Sequence, residues 1–247
     1  MSSEWRGASG TAWSAPALAA DEIHLWLADL DQPPQPLAAL AATLAADERE
    51  RAARFRFPEH RAGFIAGRGL LRALLGRYLD QPAAALRFEQ RAQGKPMLAG
   101  VDAAPDLRFN LSHSGNRVLY AVARREVGVD IEARQRRVDY AAVLERVCTP
   151  REWAVFQALP AARLQPAFFA CWTRKEAMAK AWGGGLASGL RTLEVCLPAD
   201  SSPNDRMRLR DGAGREWSVL NLPLEPGWSG ALAASGADWR WQGWRWV

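Results

Sequence analysis

Lysine is scarce in this chain, because only three of its 32 lysine and arginine residues are lysines: Lys95, Lys175 and Lys180. Arginine therefore supplies almost all of the positive charge. A composition with this bias should retain lysine where a planar guanidinium cannot replace a compact ammonium group. Two of the three lysines lie in the stretch Trp172–Lys180, which makes that stretch the first candidate for a functional site.

Cysteine and long apolar runs are scarce as well. Cys148, Cys171 and Cys196 are far apart and form no CxxC pair. This spacing argues against a disulfide framework or a zinc site and predicts buried thiols in a reducing compartment. No window approaches the roughly 20 apolar residues that a membrane span requires, and the N-terminus lacks the pattern of a signal peptide. We therefore expect a cytoplasmic protein without a membrane partner.

The overall composition is that of a globular protein, since 49% of the 247 residues are hydrophobic and 24% are charged. The net charge of +5 at pH 7 allows an anionic partner, such as a nucleic acid, a phosphorylated ligand or an acidic protein. Charge alone does not choose among these partners. The function must therefore be inferred from the motifs.

The predicted elements follow the same order twice. After a flexible leader at residues 1–20 come a strand at 23–27, a proline-rich loop at 31–36, helices at about 37–55 and 58–79, and strands between 86 and 123. Then come a strand at 127–132, helices at 140–147, from Pro150 and at about 164–182, and strands at 193–197, 207–209, 217–222, 229–234 and 239–246. Two pseudo-symmetric α/β halves, residues 21–125 and 126–247, would explain this order. We therefore expect an α+β fold with the active site in the cleft between the halves.

The stretch Trp172–Lys180 lies on the last predicted helix, which the glycines at 183–185 should end. Residues four apart share a helix face, so Glu176 and Lys180 project to one spot, whereas Lys175 points away from it. An ordinary exposed Glu–Lys pair has the same spacing and contributes only a few tenths of a kcal/mol. The helix alone therefore leaves both interpretations open.

Polar side chains crowd together where another predicted strand enters a tight turn: Asn110, Ser112, His113 and Ser114. Backbone amides and side chains in such places often hold phosphates. The same residue types are also common turn formers. This segment alone therefore allows a phosphate site or a simple turn.

Two acids share one face of the next strand, because its period of two places Asp130 and Glu132 together and Val129 and Ile131 opposite. An exposed sheet edge could tolerate such a pair of like charges. In an otherwise apolar strand, the pair favours a bound cation, and oxygen ligands suit magnesium or manganese.

Four motifs, in this order and at these separations, resemble those of the Sfp-type 4′-phosphopantetheinyl transferases: Gly94–Pro96, Phe109–Gly115, Gly128–Glu132 and Trp172–Lys180. The likeness spans roughly residues 23–235. It implies transfer of the phosphopantetheine arm of coenzyme A to a serine of a carrier protein, with release of adenosine 3′,5′-bisphosphate. It also implies two pseudo-symmetric halves and a dependence on Mg²⁺, with Mn²⁺ as a possible substitute.

The resemblance also implies roles for individual residues. Asp130, Glu132 and Glu176 would hold the metal ion, and Glu176 would take the proton of the carrier serine, directly or through water. Lys180 would contact the diphosphate. The expected catalytic residues are therefore Glu176, Lys180, Asp130 and His113. Coenzyme A would be bound by a larger group: Arg51, Arg91, Gly94, Lys95, Pro96, Asn110, Ser112, His113 and Lys180. Among these, Ser112 and His113 would donate hydrogen bonds to phosphate oxygens.

The chain departs from the expected pattern on the helix at 58–79. Gly63 stands where many relatives are expected to carry a basic residue, which puts the clamp for the 3′-phosphate of coenzyme A in question. Arg61, Arg68 and Arg72 fall on a different face from the leucines of this helix, and a solvated face is the interpretation that fits most of them.

Two other function classes compete with the transferase. One is a non-catalytic module of the same fold that binds coenzyme A or a carrier protein. The other is a magnesium-dependent phosphoesterase or a nucleic-acid binder, which only the carboxylates and the positive charge suggest. The transferase is the expected function, as a holo-[acyl-carrier-protein] synthase type enzyme. Its partner would be an acyl or peptidyl carrier protein of fatty-acid, polyketide or peptide synthesis, it would not bind nucleic acid, and it would act as a monomer.

Overall fold

The computed structural model describes residues 5–8, 15–90, 96–100, 106–135, 139–183, 190–195 and 205–246. Within these ranges the helices are α1 (Pro34–Ala42), α2 (Ala46–Ala53), α3 (Pro58–Leu79), α4 (Tyr140–Val147), α5 (Pro150–Gln157) and α6 (Ala161–Trp182). The strands are β1 (Trp5–Ala8), β2 (Glu22–Asp29), β3 (Phe88–Gln90), β4 (Pro96–Leu98), β5 (Arg108–Ser114), β6 (Arg117–Ala123), β7 (Val127–Ala133), β8 (Met207–Arg210), β9 (Glu216–Asn221), β10 (Trp228–Ser235) and β11 (Arg240–Trp246). Short 3₁₀ turns occur at Ala83–Ala85 and Leu190–Thr192.

Two sheets form the centre of the molecule. The first has the strand order β1-β11-β2-β6-β5, and the second has the order β7-β10-β9-β8. The pairs β1–β11 and β11–β2 are parallel, and the other pairs in these sheets are antiparallel. A separate two-stranded sheet pairs β3 with β4. The mixed α+β fold predicted from the sequence is confirmed.

The sheets and two long helices stack in four layers, because the central strands are apolar on both faces. In β2, Ile23 and Leu25 pack against residues of the second sheet, whereas Trp26 packs with the leucines of α3 on the opposite side. In the second sheet, Ala231 and Ala233 of β10 pack against α6. The order is therefore α3, first sheet, second sheet and α6.

Several element boundaries agree closely with the sequence analysis. Helix α3 occupies the same residues as predicted, with Pro58 in its first turn. Thr149 and Glu152 form the predicted capping box at the start of α5. Helix α6 ends at Gly183, whose φ of 75° is left-handed and therefore suits glycine. It begins at Ala161, about three residues before the predicted start.

The helix predicted at 37–55 is wrong, because α1 and α2 are separate. Thr43 ends α1 by donating a hydrogen bond to the carbonyl of Leu40, at 2.7 Å. Glu48 then accepts a bond from the backbone N–H of Ala45, at 2.9 Å, which begins α2. The proline-rich loop is also shorter than predicted, since α1 starts at Pro34. Prolines fit there because the first N–H groups of a helix have no intrahelical acceptor.

The first and the last described strands of the chain, β1 and β11, lie in the first sheet. Residues 5–8 form β1, so the flexible leader predicted for residues 1–20 is wrong there. The indole of Trp5 lies 5.8 Å from that of Trp241 and donates a hydrogen bond to the carbonyl of Pro223. This order comes from distant neighbours, which local composition cannot reveal. The division of the chain between residues 125 and 126 stays a prediction, although β11 pairs with β2 across it.

The cysteines only partly match the prediction. Cys148 is a free, buried thiol, whereas Cys171 is disulfide-bonded, which corrects the expectation of thiols alone. The expectation was wrong because cysteines that are far apart in the sequence can lie close together in the fold. Residues 193–195 of the strand predicted at 193–197 form no strand, and its last two residues, Cys196 among them, lie outside the described residues.

None of the described helices combines the length and the apolar character that crossing a membrane requires.

Candidate active site

The edge strands of the two sheets, β5 and β7, run beside each other and carry the polar residues of the site. Side chains of β5 bridge the gap between them. Asn110 Oδ1 accepts a hydrogen bond from the backbone N–H of Val129, at 2.9 Å. Ser112 Oγ donates to Asp130 Oδ1, and Ser114 Oγ donates to Glu132 Oε2, both at 2.7 Å. The polar cluster near residue 112 and the acidic strand therefore form one site.

Helix α6 lies unusually close to β7 at Gly128. A Cβ atom at this position would lie 2.1 Å from the carbonyl oxygen of Ala177 and 2.4 Å from the amide nitrogen of Ala181. Only glycine permits this approach without a shift of the helix. The close packing brings Lys180 to the acids: its Nζ lies 2.7 Å from Asp130 Oδ1 and 2.8 Å from Ser112 Oγ.

The three carboxylates interact electrostatically. Burial raises the pKa of the Asp130 carboxyl, and the Lys180 ammonium opposes this shift. Burial also raises the pKa of Glu176 to about 7, and the negative charges of Asp130 and Glu132 act in the same direction. Such mutual repulsion makes a cation favourable among them.

The donor set fits a hard divalent cation. Asp130 Oδ2 and Glu176 Oε1 are buried and have no hydrogen-bond partner among the described residues. Unpaired buried carboxylate oxygens are costly, and a metal ion would compensate for that cost. No three His, Cys, Asp or Glu side chains within the described ranges form a ready-made metal cage. Mg²⁺ does not require one, because it commonly retains water and binds one or two carboxylates together with substrate phosphates.

A cavity of about 800 Å³ is lined in part by Lys180, whose ammonium bonds to Asp130. Its lining includes most of the described residues for which coenzyme A binding was predicted: Arg51, Pro96, Asn110, His113 and Lys180. Arg51 stacks over the ring of Phe64, with 5.2 Å between guanidinium carbon and ring centroid. Ser112 is buried and does not line the cavity. Arg91, Gly94 and Lys95 lie outside the described residues.

Comparisons with known proteins agree with this geometry. Residues 126–233 match the model of the 4′-phosphopantetheinyl transferase superfamily, and residues 32–125 match that of the 4′-phosphopantetheinyl transferase N-terminal domain. The chain is 41% identical to 4′-phosphopantetheinyl transferase HetI of a Nostoc species over 224 residues, which cover 90% of this chain and 92% of that relative. It is 30% identical to a 4′-phosphopantetheinyl transferase of Bacillus subtilis over 161 residues, which cover 65% of this chain and 70% of the relative.

The chain belongs to the 4′-phosphopantetheinyl transferase superfamily. The resemblance inferred from the four motifs is thereby confirmed. The structure brings Asp130, Glu132, Glu176 and Lys180 of this superfamily member together from β7 and α6. The pair on β7 is more than 40 positions from the pair on α6, and the packing at Gly128 accounts for their meeting.

Arg68 and Arg72 were interpreted as part of a solvated face, and that interpretation is wrong. Both flank Glu48 of α2: Arg68 Nε lies 3.3 Å from Glu48 Oε1, and Arg72 Nε lies 2.7 Å from Glu48 Oε2. Arg61 is exposed, as expected. The pattern of α3 alone could not reveal the ion pairs of Arg68 and Arg72, because the acid that they share comes 24 residues before Arg72.

Arg68 is a site residue that the motif analysis of this transferase missed. It lines the cavity, and its Nη1 has no hydrogen-bond partner among the described residues. Gly63 lines the same cavity, and nothing lies within 4 Å of the position that a Cβ there would take. Gly63 thus leaves open space in the cavity where relatives are expected to have a basic side chain, and Arg68 lines the same cavity.

Lys175 is a structural residue rather than a second lysine of the site. Its side chain is fully buried, forms an ion pair with Glu152 at 2.8 Å and donates to the carbonyl of Leu193 at 2.6 Å. Adjacent helical residues point about 100° apart, so Lys175 cannot share the face of Glu176. Scarcity of lysine thus indicated one site residue, Lys180, and one core residue.

Proposed function

We propose that this protein transfers the 4′-phosphopantetheine arm of coenzyme A to a serine hydroxyl of an acyl or peptidyl carrier protein and releases adenosine 3′,5′-bisphosphate. The observation that carries the proposal is the convergence of Asp130, Glu176 and Lys180 beside a cavity lined by Arg51 and His113. These groups supply what attack on a diphosphate needs: a base, a cation and anchors for phosphate.

Asp130, Glu132 and Glu176 would hold Mg²⁺, or Mn²⁺ in its place. The unpaired Asp130 Oδ2 and Glu176 Oε1 support this assignment, since hard cations prefer carboxylate oxygens. The ion would supply positive charge that stabilises the diphosphate oxygens. The serine oxygen would form a bond to the β-phosphorus as the bond from that phosphorus to the bridging oxygen breaks, and adenosine 3′,5′-bisphosphate would leave.

Glu176 is the candidate general base. Its raised pKa of about 7 gives the carboxylate enough proton affinity to accept the serine proton near neutral pH, directly or through one water molecule. A nearby cation would lower that proton affinity, so the position of Glu176 beside the hydroxyl matters as much as its pKa. Lys180 would donate to the diphosphate, because its ammonium already points to the acid cluster and lines the cavity.

Arg51, Pro96, Asn110 and His113 support a coenzyme A site in the cavity, and Arg91, Gly94 and Lys95 stay predictions for the same site. We assign the 3′-phosphate to Arg51 and Arg68 together. Both guanidinium groups are close enough to affect each other electrostatically, and the unpaired Nη1 of Arg68 can serve a phosphate oxygen after a small side-chain adjustment. Arg68 would thus substitute for the basic residue that is missing at Gly63.

The enzyme class is a Mg²⁺-dependent transferase of the holo-[acyl-carrier-protein] synthase type, acting as a cytoplasmic monomer. The presence of Asp130, Glu132, Glu176 and Lys180 in one cluster argues against a non-catalytic module. A panel of acyl and peptidyl carrier domains, incubated with coenzyme A with and without Mg²⁺, tests the proposal by mass spectrometry. A carrier whose mass rises by one phosphopantetheine arm only when Mg²⁺ is present supports it. If no carrier is modified by the folded protein, the proposal is wrong.

A further inference from the structure

We propose that Ser112 and Ser114 are positioning residues, which orient the two acids of β7 for a divalent cation and do not bind the phosphates of coenzyme A. The inference rests on the proposed function for the identity of the site. It concerns the metal-binding half of that site and gives Ser112 a different role from the one implied by the family resemblance.

The side chains of β5 are in register with those of β7. Residues 110, 112 and 114 alternate along β5 and therefore point to the same side of the strand. All three bond to β7, at Val129, Asp130 and Glu132, over distances of 2.7 to 2.9 Å. Since β5 and β7 are edges of different sheets, these side chains take the place of a backbone ladder. The spacing of the serines thus matches the spacing of the acids.

The hydroxyl protons of Ser112 and Ser114 are both used in bonds to the acids. A serine hydroxyl carries one proton and can donate one hydrogen bond. Ser112 donates to Asp130 Oδ1 and accepts from Lys180 Nζ at 2.8 Å. Ser114 donates to Glu132 Oε2 and accepts from the backbone N–H of Ala133 at 3.1 Å. Each hydroxyl is therefore committed to a carboxylate as a donor and has no proton left for a phosphate oxygen.

The bond from Ser112 also fixes the orientation of the Asp130 carboxylate. The bond from Ser112, together with the ammonium of Lys180, holds one oxygen of Asp130 and leaves Oδ2 without a partner among the described residues. The carboxylate is thus fixed with one oxygen available to a ligand. Ser112 is itself buried and absent from the cavity lining, whereas its neighbour His113 is exposed and lines the cavity. Phosphate contact in this segment therefore falls to His113.

Partners that hold metal-binding side chains in place typically change metal affinity by about 10- to 100-fold when they are removed. We therefore expect Ser114→Ala and Ser112→Ala each to weaken Mn²⁺ binding by about this factor, as measured by electron paramagnetic resonance at saturating coenzyme A without carrier protein. Affinity for coenzyme A in the presence of a chelator should stay at the wild-type value. Ser114→Thr keeps the hydroxyl and should restore Mn²⁺ binding.

Ser218→Ala is the control, because Ser218 donates one hydrogen bond like Ser112 and Ser114, to the carbonyl of Gly236 at 2.8 Å, but is buried on β9 and away from the acids. It should lose similar stability and keep wild-type Mn²⁺ affinity. The proposal is overturned if Ser114→Ala binds Mn²⁺ as tightly as Ser218→Ala, if wild type binds no Mn²⁺, or if Ser112→Ala weakens coenzyme A binding in the presence of the chelator. If the serine variants lose Mn²⁺ while wild type modifies no carrier, the positioning role stands and the proposed function fails.

Discussion

Gly128 is the position where one added methyl group should disrupt the active site most directly. In Gly128→Ala the new Cβ would lie 2.1 Å from the carbonyl oxygen of Ala177, whereas ordinary contacts begin at 3.4 Å. Both atoms that it meets first belong to the α6 backbone, so the helix has to move by roughly 1 Å. Overpacking of this kind typically costs about 1–3 kcal/mol of folding free energy.

The same shift should reduce catalysis by more than the loss of stability explains. Helix α6 carries Glu176 and Lys180, and β7 carries Asp130, so moving the helix separates the base and the ammonium from the acid. Misplacement by 1 Å can cost about 100-fold in rate. We expect Gly128→Ala to be folded at 25 °C, with a rate of carrier modification reduced by about that factor.

Urea unfolding and the initial rate of carrier modification, both at 25 °C, measure the two effects. Gly212→Ala is the control, because Gly212 lies in the exposed turn between β8 and β9 and has nothing within 4 Å of an added Cβ. It should change stability by less than about 0.5 kcal/mol and leave the rate unchanged. A Gly128→Ala protein with wild-type stability and rate would refute the idea that this contact sets the position of α6.

Three further substitutions test other parts of the structure. Arg68→Gln should weaken binding of coenzyme A about 10- to 150-fold, because a charge-assisted hydrogen bond contributes roughly 1.5–3 kcal/mol. Calorimetry should show no loss for dephospho-coenzyme A, which lacks the 3′-phosphate. If the affinities for both ligands fell equally, Arg68 would not bind the 3′-phosphate, and its role would be the structural contact with Glu48. Burial lowers the pKa of His24 below its ordinary value of 6.5, although Glu22 opposes this, so protonation favours the unfolded chain. The free energy of unfolding should therefore fall as the pH drops below 6.5, and His24→Gln should show a smaller fall; identical pH profiles would contradict this. Lys175→Met leaves Glu152 as a buried charge without its ion pair and should cost about 3–5 kcal/mol in urea unfolding, whereas a wild-type midpoint would show that the pair is dispensable.

The parts of the fold that could be predicted are those with local signals. Helix α3 has proline in its first turn and a regular apolar pattern, and its predicted residues match the structure. Helix α4 also matches the predicted range 140–147, and strand β6 ends at residue 123, where the predicted strands of the first half end. Strand β1 and the break between α1 and α2 were missed. The order of β1 depends on pairing with β11 more than 230 residues away, and the break depends on single hydrogen bonds of Thr43 and Glu48.

The candidate site was predictable for a different reason. The pairing of Glu176 with Lys180, and of Asp130 with Glu132, follows from helix and strand periodicity, and the four motifs linked the two pairs. Periodicity could not show that Ser112 bonds to Asp130 rather than facing the cavity, or that Arg68 shares Glu48 with Arg72. These facts depend on how β5 meets β7 and how α2 meets α3, which no local pattern contains.

The most direct test of the central claim is a comparison of wild type with Glu176→Gln in one mass-spectrometric assay. Each protein is incubated with coenzyme A, Mg²⁺ and a carrier domain, and circular dichroism establishes that both are folded. The account predicts that wild type adds one phosphopantetheine arm to the carrier and that Glu176→Gln, which removes the candidate base and one candidate metal ligand, adds none at the same time point. Modification by Glu176→Gln at the wild-type rate would contradict it.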